Sequence, residues 1–159
     1  MAAGKSCVGR ALAARLGLPF VDLDDRIETQ SGMTVAHFFR TLGEPAFRRA
    51  EAKALLQLLA ESPRVLALGG GTLDDAASRS ALARSASVVH LQVSLEEAVR
   101  RAGNGTRRPM LSGGPDAVAH LYLSRQAAYA AADHAVRVDG RSVDEIVDDV
   151  ADWWESLPT

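Results

Sequence analysis

The sequence has little of what several protein classes require. Its 159 residues include a single cysteine, Cys7, so no internal disulfide can form, which fits a reducing compartment. No apolar run approaches the roughly 20 residues that span a bilayer, and no secretory signal is recognisable. The net charge of −2 gives no reason to expect nucleic acid or an anionic membrane as a partner. We therefore expect a cytoplasmic protein that binds neither.

The sequence also lacks signs of a metal cluster, of internal repeats and of long linkers. The four histidines lie at positions 37, 90, 120 and 134, without the spacing of zinc ligands. No internal repeat is visible. A chain of this length can bury a proper core, and 47% of its residues are hydrophobic. We therefore predict that residues 1–159 form a single domain.

The regular pattern that is present alternates helix with strand. Helices are predicted over 8–16, 34–42, 44–60, 75–84, 94–101, 116–131 and 142–155. Short apolar strands are predicted over 19–23, 65–68, 87–93 and 135–139. This alternation predicts a three-layer α/β/α fold with a mainly parallel sheet, in which ligands collect at the carboxyl ends of the strands.

Residues 3–6, Ala-Gly-Lys-Ser, match the second half of a phosphate-binding loop. The full signature is G-x-x-x-x-G-K-[ST], placed between a strand and a helix. Its first glycine would fall two residues before Met1, and the strand that should precede the loop is missing as well. We therefore expect either that the true start lies upstream or that this is a fragment of a longer chain.

The half of the loop signature that is present suits an anion-binding site. Backbone N–H groups at the start of a helix lack partners and carry partial positive charge, which suits phosphates. Lys5 would reach the outer phosphates, and the Ser6 hydroxyl would ligate Mg²⁺. The alternative is a chance turn before a helix. Cys7 reads as a small residue of the first helical turn.

Further polar and glycine residues follow the predicted strands. Asp22 and Asp24 come after the first strand, and Gly69-Gly70-Gly71 follows the second. Three glycines are costly in backbone entropy, so a close approach of main chain to a ligand would justify them. The alternatives are a solvated acidic turn that caps the next helix and an ordinary tight turn. Residues 103–115 are rich in glycine and proline, which predicts an irregular loop.

Five motifs occur in a fixed order: A-G-K-S at 3–6, D-L-D at 22–24, F-R-R-x-E at 47–51, G-G-G at 69–71 and R-R-P-M-L at 107–111. Together they resemble shikimate kinase, of the nucleoside-monophosphate-kinase-like group of P-loop phosphotransferases. The resemblance covers nearly the whole chain and misses only the first strand. It implies a P-loop kinase fold with a mobile lid over about 103–115, and transfer of phosphate from ATP, with Mg²⁺, to the 3-hydroxyl of shikimate. It also implies a monomer with ATP and shikimate as its partners.

The resemblance also implies roles for the acidic and substrate-binding residues. Asp22 would help to hold Mg²⁺ through water, together with Ser6. Asp24 would contact the shikimate hydroxyls and accept the proton of the attacking hydroxyl. Arg48 and Arg125 would bind the shikimate carboxylate, which suits the planar fork of arginine, and Gly70 would contact the substrate. Glu51, one helical turn from Arg48, could steer that guanidinium. Without the surrounding motifs, both arginines would read as surface charge.

On the nucleotide side, the resemblance implies that the loop residues bind phosphate and that Lys5 takes part in catalysis. Those loop residues are Ala2, Ala3, Gly4, Lys5, Ser6 and Cys7. Arg108, directly before Pro109, would reach the transferring phosphate from the lid. Arg101 and Arg141 would pack near adenine, or else be solvated.

Two other functions stay open on the sequence. One is a related small-molecule kinase of the gluconate type, against which the D-x-D and G-G-G motifs argue. The other is a non-catalytic ligand-binding module on the same fold. Retention of Lys5, Asp24 and Arg108 argues against the module, and the missing strand argues for it.

Overall fold

Helices and short strands alternate along the chain in the computed structural model, which describes residues 3–103 and 114–158. The helices are α1 (Lys5–Leu16), α2 (Leu23–Ser31), α3 (Val35–Leu59), α4 (Ala76–Ser85), α5 (Leu95–Gly103), α6 (Gly114–Tyr129) and α7 (Val143–Glu155). The strands are β1 (Phe20–Asp22), β2 (Val65–Ala67), β3 (Val89–Gln92) and β4 (His134–Arg137), and a 3₁₀ turn covers Thr72–Asp74. The predicted elements are present, with ends that differ by up to three residues.

All strand pairing among the described residues is parallel, as the alternation of helix and strand predicts. β1 pairs with β2, with Val21 opposite Leu66, and β3 pairs with β4, with Leu91 opposite Val136. Within the described ranges, the two pairs are separate two-stranded sheets with no strand between β2 and β3. The α/β class is confirmed, with the parallel strands in two halves, the β1–β2 pair and the β3–β4 pair.

Two apolar clusters pack the helices against these halves. α2, α3 and α4 contribute to one cluster, with Leu23, Ile27, Leu55 and Leu58 almost fully buried in it. α1, α5 and α7 pack with β3 and β4 in the other cluster, whose buried residues include Val8, Ala98, Val136 and Ile146. Each half of the sheet therefore has its own core.

The long helix α3 changes direction at Gly43, where the sequence predicts a break between two helices. Gly43 has φ 75° and ψ 169°, which are not helical. Pro45 follows in the first turn of the second segment, where its missing N–H costs no hydrogen bond. The break sets the direction of the second segment, which carries Arg48 and Glu51.

Two acidic residues lie at a helix start beside the strand ends. The Asp22 carboxylate accepts a hydrogen bond from the Asp24 N–H at 3.1 Å and caps α2, so Asp24 lies in the first helical turn. The acidic stretch therefore caps a helix, as the alternative interpretation of a capping acidic turn predicts. Asp22 and Asp24 also belong to the site described below. No helix in the described ranges is long and apolar enough to cross a bilayer.

Candidate active site

The candidate site lies where β1 and β2 end. Asp22 is the last residue of β1, and Gly69-Gly70-Gly71 begins two residues after the end of β2. The paired strands bring these segments side by side, since Asp22 is opposite Ala67. The start of α1 reaches the same edge because the Ser6 hydroxyl donates to the Asp22 carboxylate. The expected grouping of motifs at the carboxyl ends of strands is therefore seen for these segments.

Gly4 shapes the start of α1. It adopts a left-handed conformation, φ 80° and ψ 24°, which glycine tolerates better than other residues. Its carbonyl accepts hydrogen bonds from the N–H groups of Cys7 and Val8, both at 3.0 Å. The preceding N–H groups of the first turn have no such intrahelical acceptor, so the turn offers donors to an anion. No acidic side chain lies in that turn, Cys7 is exposed, and Ala2 lies outside the described residues.

Ser6 and Asp22 form an oxygen pair beside this turn. The Ser6 hydroxyl donates to one carboxylate oxygen of Asp22 at 2.5 Å, and the other oxygen accepts from the Asp24 N–H. A hydroxyl and a carboxylate are the hard oxygen ligands that Mg²⁺ prefers. The two residues predicted to hold the metal are therefore in contact with each other.

The three glycines make room for charged side chains. A methyl group on Gly69 would collide with Glu51 and lie 3.5 Å from an Asp24 carboxylate oxygen. One on Gly70 would lie 2.9 Å from Arg125 Nη1, and one on Gly71 would lie 2.6 Å from Arg48 Nη1. None of the three has a positive φ. The glycines therefore leave room for side chains of the protein itself in the positions that they occupy here, a reason that the sequence did not reveal.

Arg48 is fixed by two carboxylates on its own helix. Its Nη1 donates to Glu51 at 2.8 Å, and its Nη2 donates to Glu44 at 3.0 Å. Burial opposes the charged form, but the hydrogen bonds and negative charge of Glu51 and Glu44 outweigh it and raise the pKa of Arg48. The predicted pairing of Glu51 with Arg48 is confirmed by this contact, and Arg48 carries its charge at every pH of interest.

Glu51 is itself almost fully buried, with 3% of its surface exposed. Besides holding Arg48, it accepts a hydrogen bond from the Thr72 hydroxyl at 2.8 Å, and Thr72 is 1% exposed. A buried carboxylate needs such partners. Thr72 was missed by sequence reasoning, because its only signal is its position directly after the glycines.

Arg125 reaches the glycines from α6. Only 5% of its surface is exposed, and its Nε donates to Asp74 at 3.3 Å. Arg125 and Arg48 therefore approach adjacent glycines from two different helices. The two predicted carboxylate-binding residues are brought together, and Asp74, which the sequence analysis did not single out, holds one of them.

Tyr129, one turn after Arg125, was also missed. Its hydroxyl donates to the Gly70 carbonyl at 2.8 Å, and its ring lies 4.7 Å from that of His90. Burial, together with the positive charge of Lys5, lowers the pKa of His90, which favours a neutral imidazole in that contact. The spacing of four residues between Arg125 and Tyr129 puts both on one helix face, and this was the available signal.

The remaining predicted residues lie apart from this cluster or outside the described ranges. Arg101 donates to Glu97 of its own helix α5 at 2.5 Å, and Arg141, just before α7, donates to Asp149 of α7 at 2.6 Å. Arg108 and residues 104–113 of the expected lid lie outside the described residues.

Comparison with known proteins identifies similar sequences. The family described as "Shikimate kinase" matches residues 1–155. A curated shikimate kinase of Streptomyces avermitilis is 41% identical over 160 residues, covering 96% of this chain and 90% of its own length. One from Thermus thermophilus is 40% identical over 158 residues, covering 96% of this chain and 84% of its own.

Two solved structures with a similar fold are also shikimate kinases. The shikimate kinase from Acinetobacter baumannii in complex with shikimate aligns with a TM-score of 0.93 at 30% identity, covering 98% of this chain and 89% of that one. The shikimate kinase from Bacteroides thetaiotaomicron aligns with a TM-score of 0.88 at 27% identity, covering 98% and 94%.

Proposed function

Because this chain belongs to the shikimate kinase family, we propose that it transfers the terminal phosphate of ATP to the 3-hydroxyl of shikimate. The observation that carries the proposal is the set of three glycines, each of which accommodates a charged side chain of the expected site. An acidic residue and two fixed arginines meet there, which suits an acceptor that carries both hydroxyls and a carboxylate.

The carboxylate of the acceptor is bound by Arg48 and Arg125. An arginine fork matches a carboxylate in a planar arrangement, and such charge-assisted hydrogen bonds are about twice as strong as neutral ones. Both guanidinium groups are held by carboxylates of the protein before any ligand arrives. Binding therefore loses little side-chain entropy. The relative from Acinetobacter baumannii, solved with shikimate, supports this class of acceptor.

Asp24 acts as the proton acceptor. It lies in the first turn of α2, and one of its oxygens is 3.5 Å from the place that a methyl group on Gly69 would take. The attacking hydroxyl loses its proton late in a loose transition state, so one carboxylate positioned within hydrogen-bond reach can accept it. Gly70 follows Gly69 directly, and its carbonyl accepts a hydrogen bond from the Tyr129 hydroxyl.

The phosphates of ATP bind at the N-terminal turn of α1. Gly4 allows the close approach, the N–H groups of the first turn donate to the phosphate oxygens, and Lys5 balances the charge. Ala3 precedes this turn and Cys7 lies in it, and we assign both to phosphate binding together with Ala2, the neighbour of Ala3 in the sequence. We assign Arg101 and Arg141 to the adenine side and Arg108 to the transferring phosphate, within one catalytic domain of residues 1–159 that acts as a cytoplasmic monomer.

Ser6 and Asp22 are the residues that would hold Mg²⁺. Their hydroxyl and carboxylate oxygens lie together at the loop, and this donor set fits a hard cation. When bound, the ion neutralises charge on the phosphates. Ser6 and Asp22 orient each other through their hydrogen bond, and Asp22 also fixes the first turn of α2, which carries Asp24.

A coupled ADP-release assay tests this function. We expect ADP release to depend on shikimate and to remain at background with gluconate or with no acceptor. Turnover with gluconate in place of shikimate would favour the gluconate-type kinase. Shikimate binding without any turnover would favour the non-catalytic module. The assay is run on the 159-residue chain.

A further inference from the structure

The two carboxylates that hold Arg48 are themselves held in different ways. The side chain of Glu44 is 50% exposed and accepts from Arg48 through one oxygen, Oε1. Glu51 is buried and uses both oxygens, since Oε2 accepts from Arg48 Nη1 and Oε1 accepts from the Thr72 hydroxyl, each at 2.8 Å. Thr72 is therefore a partner that Glu51 has outside its own helix.

That partner belongs to the glycine segment, by which we mean residues 69–74. Thr72 follows the three glycines directly, and its N–H donates to the Gly69 carbonyl at 3.3 Å. A methyl group on Gly69 would lie 3.1 Å from the Thr72 hydroxyl oxygen and would collide with Glu51. The hydrogen bond between Thr72 and Glu51 therefore joins α3 to the glycine segment, across 21 positions of the chain.

The pair of Arg48 and Glu51 cannot by itself fix the guanidinium group against the glycines. Both residues lie on α3, one turn apart, so the pair moves together with that helix. The Thr72 hydroxyl lies outside the helix and holds one oxygen of the carboxylate whose other oxygen holds Arg48. The guanidinium group fills the space that a methyl group on Gly71 would need. The hydroxyl therefore sets the place at which α3 presents Arg48 to the glycine segment.

Arg125 is tied to the same segment from another helix, α6. Its Nε donates to Asp74, the last residue of the glycine segment, at 3.3 Å. Its Nη1 fills the space that a methyl group on Gly70 would need. The segment is therefore a common frame for the two guanidinium groups, with Asp74 as the contact on the α6 side and Thr72 as the contact on the α3 side.

We propose that Thr72 is a positioning residue for the acceptor, whose hydroxyl acts through Glu51 to hold Arg48 in register with Arg125, so that both arginines reach one carboxylate. The inference rests on the proposed function, because it takes the carboxylate of the acceptor as the ligand of the two arginines. Thr72 acts on Arg48 and not on the acceptor itself, and it reduces the rearrangement that binding requires. The hydroxyl is the feature that matters, since it supplies the one proton donated to Glu51.

Two substitutions separate the hydroxyl of Thr72 from its shape. Thr72→Val keeps the branched side chain and removes the hydroxyl, whereas Thr72→Ser keeps the hydroxyl and removes a methyl group. Thr29→Val is the matched control, because the exposed Thr29 hydroxyl donates to the Asp25 carbonyl within α2. We expect Thr72→Val to raise KM for shikimate by about tenfold with KM for ATP unchanged. Thr72→Ser and Thr29→Val should change KM for shikimate by less than about twofold.

A lower thermal midpoint of Thr72→Val with an unchanged KM for shikimate would show that the hydroxyl serves only the fold, and would overturn the proposal. The same holds if Thr72→Ser raises KM for shikimate as much as Thr72→Val does. If Thr72→Val fails to fold, Thr72→Ala takes its place in each measurement.

An Arg48→Ala background tests whether Thr72 acts through Arg48. In that background Thr72→Val should leave KM for shikimate almost unchanged, because the side chain that the hydroxyl positions is gone. A further rise of about tenfold there would show that Thr72 acts on the acceptor by another route, and would overturn the proposal.

Crystal structures of Thr72→Val and Thr72→Ser without ligand test the positioning independently of the reaction. We expect the Arg48 guanidinium group to leave its place beside Gly71 in the first variant and to keep it in the second. The same position of Arg48 in both variants would overturn the inference. Absence of turnover and of shikimate binding in the unsubstituted chain would instead count against the proposed function, so the two failures can be told apart.

Discussion

The acceptor side and the nucleotide side of the site are held in different ways. On the acceptor side, Arg48 and Arg125 are held by carboxylates and pack on glycines that leave room for them. On the nucleotide side, the donors belong to the N-terminal turn of one helix, and Arg101 and Arg141 make ion pairs with carboxylates of α5 and α7. The acceptor side is therefore organised before ligand arrives, while nucleotide binding relies on backbone N–H groups.

Preorganisation has a physical consequence for the two substrates. A side chain already fixed in its bound geometry loses little entropy when the ligand arrives. Substitutions on the acceptor side should therefore change the kinetic constants for shikimate and leave ATP binding unchanged. The size of each change should depend on the contacts of the residue that is replaced. Changes to Arg101 and Arg141 should be milder, because ion pairs that are partly exposed to solvent contribute little.

Replacement of the proton acceptor should have the largest effect. We expect Asp24→Asn to lower kcat by about 10² to 10⁴, the usual contribution of a general base, and to leave ATP binding almost unchanged. The matched control is Asp25→Asn, because Asp25 is exposed and faces Arg10 at 3.9 Å. Equal losses in the two variants, or a parallel loss of ATP binding, would contradict the assigned role.

A methyl group on Gly71 should disturb Arg48 without touching the nucleotide. We expect Gly71→Ala to raise KM for shikimate by about tenfold, roughly the loss of one charged hydrogen bond, with KM for ATP unchanged. In an Arg48→Ala background the methyl group has room, so the same change should add almost nothing. Additive effects in the double variant would show that Gly71 acts through something other than Arg48.

The hydrogen bond from Tyr129 to the Gly70 carbonyl should have a moderate effect. Tyr129→Phe keeps the ring and removes the hydroxyl, so we expect a loss of about 1 kcal/mol in the free energy of unfolding, measured in urea. KM for shikimate should rise by about threefold, given that one neutral hydrogen bond is lost. An unchanged KM would mean that the Gly70 peptide does not need this support.

The sequence predicts the elements better than the contacts between them. The sequence pattern placed the described strands and the described helices other than α2, and the i,i+3 spacing predicted the pair of Arg48 with Glu51, now confirmed at 2.8 Å. Thr72 and Tyr129 could not be assigned, because their partners lie 21 and 59 positions away along the chain. Only the folded chain brings such residues together.

The three glycines also show that sequence alone does not reveal contacts between distant residues. The three-glycine motif predicts an unusual site, and it does mark one. The structural reason differs from the expected one, since each glycine leaves space for a side chain of a distant helix. A pattern in sequence can therefore identify the place of a site before its physical cause is known.

The nucleotide-side arginines should give smaller effects. We expect Arg101→Ala and Arg141→Ala each to raise KM for ATP by less than about fivefold, with no change in KM for shikimate, because both guanidinium groups are engaged by Glu97 and Asp149. A change in KM for shikimate instead would contradict the division of the site into two sides.

The smallest effect concerns acid stability. Hydrogen bonds from Arg100 and Arg101 lower the pKa of Glu97 from 4.5 to about 2. Because the folded pKa is the lower one, Glu97 stabilises the fold above pH 4.5, and this contribution is lost as the pH falls towards 2. We expect Glu97→Gln to flatten slightly the decline of the thermal midpoint over that window. An identical decline in both proteins would exclude this contribution.

Calorimetric titration of shikimate in the absence of nucleotide tests most directly whether the acceptor side is preorganised. We predict that this chain binds shikimate without ATP, that Arg48→Ala weakens binding by about tenfold or more, and that Arg49→Ala, which changes an exposed neighbour, leaves it unchanged. Binding of shikimate only after ATP is added, or equal affinities in the two arginine variants, would contradict it.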